Sequence, residues 1–341
     1  MRRCWNSVRV AAALVVSAVL AAAGTACSSS GGGDELLVYN AQHESLTKEW
    51  IEAFTKETGI KVTYRQGGDT ELGNQLIAEG TNSPADVFLT ENSPAMAAVE
   101  RAGLFAPVDA AVIANVPAQF RPASNAWTGV AARSTVFVYN PSKLPADQLP
   151  KSLLDLEKPE WKGRWGAPPP KADFQAIVAA LLELKGPAVT SQWLTGMKTN
   201  AVLYSDNIAT LRAVNSGEVA GGIIYHYYWY RDQAKTKEMS GNTALHYFGN
   251  QDPGAFLSLS GAGVLKSSKK QDKAQRFLEF VTSKAGQQIL ENGTSMEYPV
   301  ASGVPANPAL KPLDQLDPPR VDPSALQPQQ VSDLMTQAGL L

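Results

Sequence analysis

Tyr225-His226-Tyr227-Tyr228-Trp229-Tyr230 concentrates four tyrosines, a tryptophan and one of the chain's three histidines in six residues. Tyrosine oxygen is a hard donor once ionised, and ligand hardness selects the metal. A free phenol has a pKa of about 10, so only a strongly polarising cation ionises two of them at neutral pH. Two further side chains could join Tyr227 and Tyr228: His43 and Glu91, each in a loop after a run that reads as a strand. Two phenolates, one carboxylate and a neutral imidazole carry a charge of about −3, which balances a ferric ion. Zinc prefers nitrogen and sulfur, and calcium prefers carboxylates and carbonyls. If the four residues act as one set, the ion is Fe(III). Taken singly they read differently. His43 is then a loop histidine with its hydrogen bond satisfied. Glu91 is a solvated carboxylate favoured by a helix dipole, and the tyrosines pack a helix against a sheet.

The elements that must position these residues follow from periodicity. Val219 to Ile224 is an apolar run that reads as a short buried strand, and Arg231 to Lys235 reads as a helix. Adjacent residues of a strand point to opposite faces, so Tyr227 and Tyr228 can face one ligand only where the backbone turns between the two elements. Earlier in the chain, Leu36–Tyr39 reads as a strand, and Ser45 can cap a helix carrying Leu46, Trp50, Ile51 and Phe54 that stops at Gly59. Lys61–Tyr64 is a second strand, followed by a helix over 71–79, then a third strand over 86–90 with Glu91 at its end. Ser93-Pro94 opens the next helix. Strands and helices alternate, so the economical fold is α/β, a mostly parallel sheet with helices on both faces. Ligand sites in such sheets lie at the carboxyl ends of the strands.

Further on, 135–140 reads as a strand and 144–166 as a connection with a short helix. Phe174–Leu184 and Ala188–Met197 are helical, and Asn207 is a cap for 208–215. Strands are expected at 245–248 and 256–259, with another apolar run at 261–265. Ala274, Phe277, Leu278 and Val281 mark a helix, and 331–338 a last one.

Composition narrows the class. With 341 residues, 18% charged residues and a net charge of −2, the chain shows no basic bias of the kind nucleic-acid binding requires. Arg2 and Arg3, the apolar stretch Val8–Ala23 and the small residues before Cys27 form a secretory signal over 1–26. The segment resembles a lipoprotein signal, in which Cys27 is lipidated and 27–33 is a flexible tether; ordinary cleavage nearby is the alternative. Cys4 leaves with the signal, so the exported part has no disulfide and no thiolate chemistry.

The chain resembles the ferric-ion-binding proteins of bacterial ABC-type iron importers, the bacterial transferrins. Leu37-Val38-Tyr39-Asn40-Ala41-Gln42-His43 matches the family's first strand and histidine, and Pro84–Glu91 matches the glutamate segment. Tyr227-Tyr228-Trp229-Tyr230 matches the tyrosine pair. Asn250–Ala255 and Ser260–Leu265 match the return crossing between lobes. The resemblance implies a two-lobed periplasmic-binding-protein-like fold of type II, hinged, each lobe a mixed, mostly parallel sheet flanked by helices. The first lobe would span 34–133 plus about 258–308, the second about 134–257 plus 309–341. It also implies a monomeric carrier that is not an enzyme, held outside the cytoplasm by the Cys27 lipid and serving an ABC permease with its cytoplasmic ATPase.

His43, Glu91, Tyr227 and Tyr228 would hold Fe(III), and metal would stabilise the closed form. Relatives often hold a synergistic anion at a Ser-Gly-Ala turn, where this chain has Lys171-Ala172-Asp173. Asp173 disfavours a phosphate there, whereas Lys171 can hold an anion; carbonate, citrate and water remain open. Asn207 matches a residue near that anion. Tyr225 is an extra ligand, a hydrogen-bond partner or packing, and Arg133 either balances site charge or makes a surface salt bridge. Two other functions compete. The same fold can bind a polyamine, thiamine or phosphonate through acidic pairs, aromatic sandwiches or helix amino termini. An exported hydrolase using Glu91 and His43 would need a nucleophile motif, and the sequence has no G-x-S-x-G and no H-E-x-x-H.

Overall fold

The computed structural model describes residues 34–341; the secretory signal, the tether and Cys27 lie outside the described residues. In chain order the elements are β1 (Leu36–Asn40), α1 (Glu44–Thr58), β2 (Val62–Gln66), α2 (Asp69–Glu79), β3 (Val87–Leu89), α3 (Ser93–Arg101), α4 (Ala110–Asn115) and β4 (Thr128–Tyr139). Then come β5 (Trp165–Ala167), α5 (Ala172–Asn200), β6 (Ala201–Leu203), α6 (Asn207–Ser216), β7 (Gly221–Tyr225), α7 (His226–Gln233) and β8 (Ala244–His246). The chain closes with β9 (Leu257–Val264), α8 (Gln271–Thr282), α9 (Lys284–Asn292) and α10 (Pro328–Gln337).

The strand order is β2-β1-β3-β9-β4-β7-β5-β6, with β8 also on β4. β1 is parallel to β2 and β3, and β5 is parallel to β6 and β7. The strands between them are antiparallel. Side-chain alternation sends the two faces of the first half-sheet into separate cores. Leu36 and Val38 meet Leu46, Trp50 and Phe54 of α1 and Phe277 and Leu278 of α8. Tyr39 and Phe88 meet Leu72 and Leu76 of α2 and Met96 and Val99 of α3. The second half-sheet is covered by α5 and α10 on one side and α6 on the other.

β4 joins the halves. Thr128–Ser134 pairs with β9, and Thr135–Tyr139 pairs with β7. A third segment runs alongside, where Tyr298 and Ala132 exchange backbone hydrogen bonds of 2.9 Å.

Several expectations shift, each for a local reason. The helix expected from Arg231 begins at His226, so the aromatic stretch is itself helical. The runs 256–259 and 261–265 are one strand, β9. The Ser260-Gly261 pair that reads as a break is a packing requirement, because a Cβ on Gly261 would lie 2.6 Å from Met96 Cγ and 3.0 Å from Trp127. β5 overlaps the segment read as connection, and β6 lies between two expected helices where no strand is expected; each is three residues long. In α5, Gly186 at φ 78 precedes Pro187 and separates the two expected helices. Two caps move. His43, not Ser45, occupies the cap position of α1, and Asp206, not Asn207, caps α6 by accepting from the Ala209 amide. The second shift leaves the Asn207 side chain free to reach Asp173, and His43 makes no side-chain cap bond.

Candidate metal centre

Four loops converge at the carboxyl ends of β1, β3 and β7 and at the start of α5. His43 is delivered by the β1–α1 junction, and Glu91 by the three-residue gap between β3 and α3. Tyr227 and Tyr228 come from the first turn of α7, and Asp173 from the first turn of α5. Consecutive helical residues are about 100° apart, which lets both tyrosines lean toward one point. Their rings lie 4.2 Å apart, tilted by 31°.

The Tyr227 hydroxyl donates to Glu91 Oε1 at 2.8 Å, and His43 Nε2 lies 3.6 Å from that oxygen. The Tyr228 hydroxyl donates to Asp173 Oδ2 at 3.0 Å, with the Tyr227 oxygen 3.5 Å from the same atom. Octahedral ligands at about 2.0–2.1 Å from a small hard cation are about 2.9 Å apart. The donor atoms therefore stand at separations an ion could bridge once the phenolic protons leave. Counting only His, Cys, Asp and Glu, no group of three among the described residues forms a metal cluster; the tyrosine oxygens are what complete this one.

Burial raises both phenols well above their ordinary range, and the Asp173 and Glu91 carboxylates raise them further. Burial followed by the Glu91 charge lifts Asp173 to about 6. The same two causes lift Asp69, which sits behind Glu91, to about 7. Burial pulls His43 down, but the Glu297 and Glu91 carboxylates outweigh it, and the imidazole is raised. Without a cation the cluster is a set of protonated phenols on carboxylates. It holds more negative potential than its one guanidinium offsets.

That guanidinium is Arg133, with no exposed surface, which removes the surface-salt-bridge reading. Its Nη2 lies 2.8 Å from Glu297 Oε2, and its Nε 3.9 Å from Glu91 Oε1. Asn207 donates to Asp173 Oδ2 at 2.9 Å, and Asn92 donates to Asp173 Oδ1 at 2.9 Å. The buried Tyr225 hydroxyl lies within hydrogen-bond reach of the Asp173 carbonyl at 3.2 Å and of Asn92 Oδ1 at 3.4 Å. Lys171 is exposed at the rim, while Asp173, two residues on, is turned inward. From sequence, Asp173 falls in a possible anion region, with its role as a ligand left open. Sequence reasoning missed Glu297, Gln42, Asn92 and Asp69. The signal for Glu297 was faint: one acid isolated between Met296 and Tyr298-Pro299.

In front of the donors lies a cavity of about 650 Å³, lined by Gln66, Gly68, Glu71, Lys171, Asp206 and Ile208 among others. A larger one of about 890 Å³, bordered by Phe120, Arg121, Leu257, Leu313 and Pro319, touches none of these donors. The chemistry assigns the smaller cavity to the site.

Donors that face one another from two half-sheets joined by crossing strands define a solute-binding protein. The chain belongs to the bacterial extracellular solute-binding protein family, whose model matches residues 82–321. It is 60% identical over 306 residues to the Fe(3+)-binding periplasmic protein of Serratia marcescens, covering 90% of each. It is 36% identical over 309 residues to the major ferric iron-binding protein of Neisseria meningitidis, covering 90% of this chain and 93% of that one. The structure of iron-bound HitA from Pseudomonas aeruginosa superposes with a TM-score of 0.83 at 42% identity, covering 90% of this chain and all of that one.

Proposed function

We propose that this protein captures ferric iron outside the cytoplasm and delivers it to an ABC-type permease. The observation that carries the reading is the convergence of His43, Glu91, Tyr227, Tyr228 and Asp173 from separate loops, with neighbouring donor atoms 2.8–3.6 Å apart. Two phenolates and two carboxylates carry a charge of about −4, which suits a trivalent ion and repels an oxyanion, and a polyamine lacks the polarising power to ionise two phenols. The ferric-iron-binding relatives support the same reading.

His43 and Glu91 belong to the first lobe (34–133 plus about 258–308). Tyr227, Tyr228 and Asp173 belong to the second (about 134–257 plus 309–341). The change of partner along β4 between Ser134 and Thr135 supports a hinge there. Closure brings the two half-sets together, so iron stabilises the closed form by binding it preferentially. Asp173 supplies the negative oxygen that an exogenous anion would bring, and Asn207 and Asn92 hold it in place. Lys171 at the rim and the cavity beside it give the ion, or a small chelate carrying it, its way in. Cys27 anchors the monomeric protein to the membrane; the small residues before it in the sequence support this.

Native mass spectrometry after chelator treatment and re-addition of Fe(III) tests the proposal. One iron per chain is expected. A bound organic molecule that survives chelation, with no iron uptake, would overturn it.

A further inference from the structure

We propose that Glu297 is the positioning residue for His43: acting through the Gln42 amide, it holds the imidazole with the proton on Nδ1 and the bare Nε2 toward the metal. The inference rests on the reading of His43 as a ligand.

Gln42 lies between the two, fully buried. Its amide could point either way, and its neighbours decide. Arginine can only donate, and a carboxylate can only accept. Arg133 Nη2 lies 2.9 Å from Gln42 Oε1, so that atom must be the oxygen. Gln42 Nε2 lies 3.3 Å from Glu297 Oε2, so that atom must be the nitrogen. The same Nε2 donates to Ser260 Oγ at 2.7 Å, which itself donates to the Thr90 carbonyl next to Glu91. The amide is therefore locked from both ends.

His43 Nδ1 stands 2.9 Å from Gln42 Oε1, an acceptor. Nδ1 must then carry the proton, backed by Glu297 Oε1 at 3.5 Å. Nε2 keeps its lone pair, on the side where Glu91 Oε1 lies 3.6 Å away. Metal-bound histidines commonly donate their second N–H to an outer acceptor, which fixes ring and tautomer. Here the acceptor is an amide oxygen held by Arg133 and by the His43 backbone N–H at 2.6 Å, and the buried Glu297 carboxylate anchors both Arg133 and the amide nitrogen.

The backbone around Glu297 is built for this placement. Met296 lies at φ 57, a region that residues with side chains seldom adopt. Tyr298 is pinned to Ala132 on the crossing strand by two backbone hydrogen bonds of 2.9 Å. Between them Glu297 is driven inward, with no exposed surface, onto Arg133. If Glu297 were only a counter-ion for Arg133, the His43 tautomer would not depend on it.

The test is nitrogen NMR of the chelator-treated protein labelled in its three histidines, at alkaline pH where His43 is neutral. Wild type is expected to show His43 protonated on Nδ1 alone. In Glu297→Gln the carboxylate no longer anchors Arg133 against Gln42 Oε1 and no longer holds the amide nitrogen, so the amide is released and His43 becomes a tautomer mixture. Fe(III) affinity then falls roughly 10- to 100-fold, while the visible phenolate-to-iron absorption persists. Gln42→Met removes the relay and spares the Arg133–Glu297 pair; it should give the same mixture even if Glu297→Gln folds poorly. A wild-type tautomer in Gln42→Met, or in folded Glu297→Gln, overturns the inference. If wild type takes up no iron the ligand reading fails, and the NMR result still decides what Glu297 does.

Discussion

The two halves of the site are held by different physics. On the first lobe, His43 and Glu91 lean on a buried ionic network: Arg133 and Glu297 at 2.8 Å, with Gln42 between them and the imidazole. On the second lobe, Asp173 is fixed by neutral amides and by the phenols it faces, with Asn207 and Asn92 each at 2.9 Å. The partners of the first half are close to one another: Gln42 meets both Arg133 and Glu297, and those two pair at 2.8 Å. The second half is reached by Asn92 and Glu91 from the loop between β3 and α3. Charge differs in the same sense. Burial pushes Glu297 up, but Arg133 outweighs it and holds the carboxylate ionised, down to about 2. Asp173 has no such partner and is raised instead. One half is a rigid ionic frame, and the other is a protonated half-set waiting for a cation.

The comparison breaks most completely if the phenols go. Tyr227→Phe with Tyr228→Phe is expected to abolish the visible absorption and to weaken iron binding by more than the roughly 100-fold that an outer partner costs, leaving the first-lobe frame and the fold intact by circular dichroism. Next in size is the frame itself. Arg133→Met leaves Glu297 buried and unpaired, a change that costs about 3–5 kcal/mol, readable by urea unfolding of the metal-free protein. Pairing it with Glu297→Gln should restore much of that loss.

Acidity sharpens the contrast further. Asp173 is raised from an ordinary 3.8 to about 6 by burial and by the Glu91 charge that faces it across the cleft. The closed form therefore holds more protons than the open one, and its stability falls as pH rises through that window. Metal-free protein should close at low pH and open toward neutrality, as read by small-angle scattering. Iron binding runs the opposite way. It expels about two phenolic protons, so the logarithm of its affinity should climb with a slope of about 2 per pH unit above the Asp173 range. The smallest effect is expected at Asn207→Ala, which removes one of two amides from Asp173. A loss of about 1.5–3 kcal/mol for a hydrogen bond to a charged group is the ceiling, seen in iron affinity and not in urea unfolding.

Much of this was legible in the sequence. Strand–helix alternation, the position of Tyr227 and Tyr228 after a buried run, and the loops of His43 and Glu91 all follow from local pattern. What was not legible depends on distance along the chain. Arg133 and Glu297 are far apart in sequence, and neither carries a local signal that it will be buried against the other. Asp173 opens a helix, where a carboxylate is ordinarily explained by the helix dipole. Only the approach of α7 turns it into a donor for the same point as Tyr228. The caps misled for a related reason: Ser45 and Asn207 have the right chemistry, and Asp206 took the second cap one residue earlier, leaving Asn207 to reach Asp173.

The most direct test is a visible-absorption titration of chelator-stripped protein with Fe(III), in buffer free of phosphate and carbonate. Wild type should develop phenolate-to-iron absorption that saturates at one iron per chain with no added anion. Asp173→Asn should do so only when phosphate or carbonate is supplied. A wild-type protein that stays colourless, or that needs an added anion to bind, would contradict a site in which Asp173 completes the set built from His43, Glu91, Tyr227 and Tyr228.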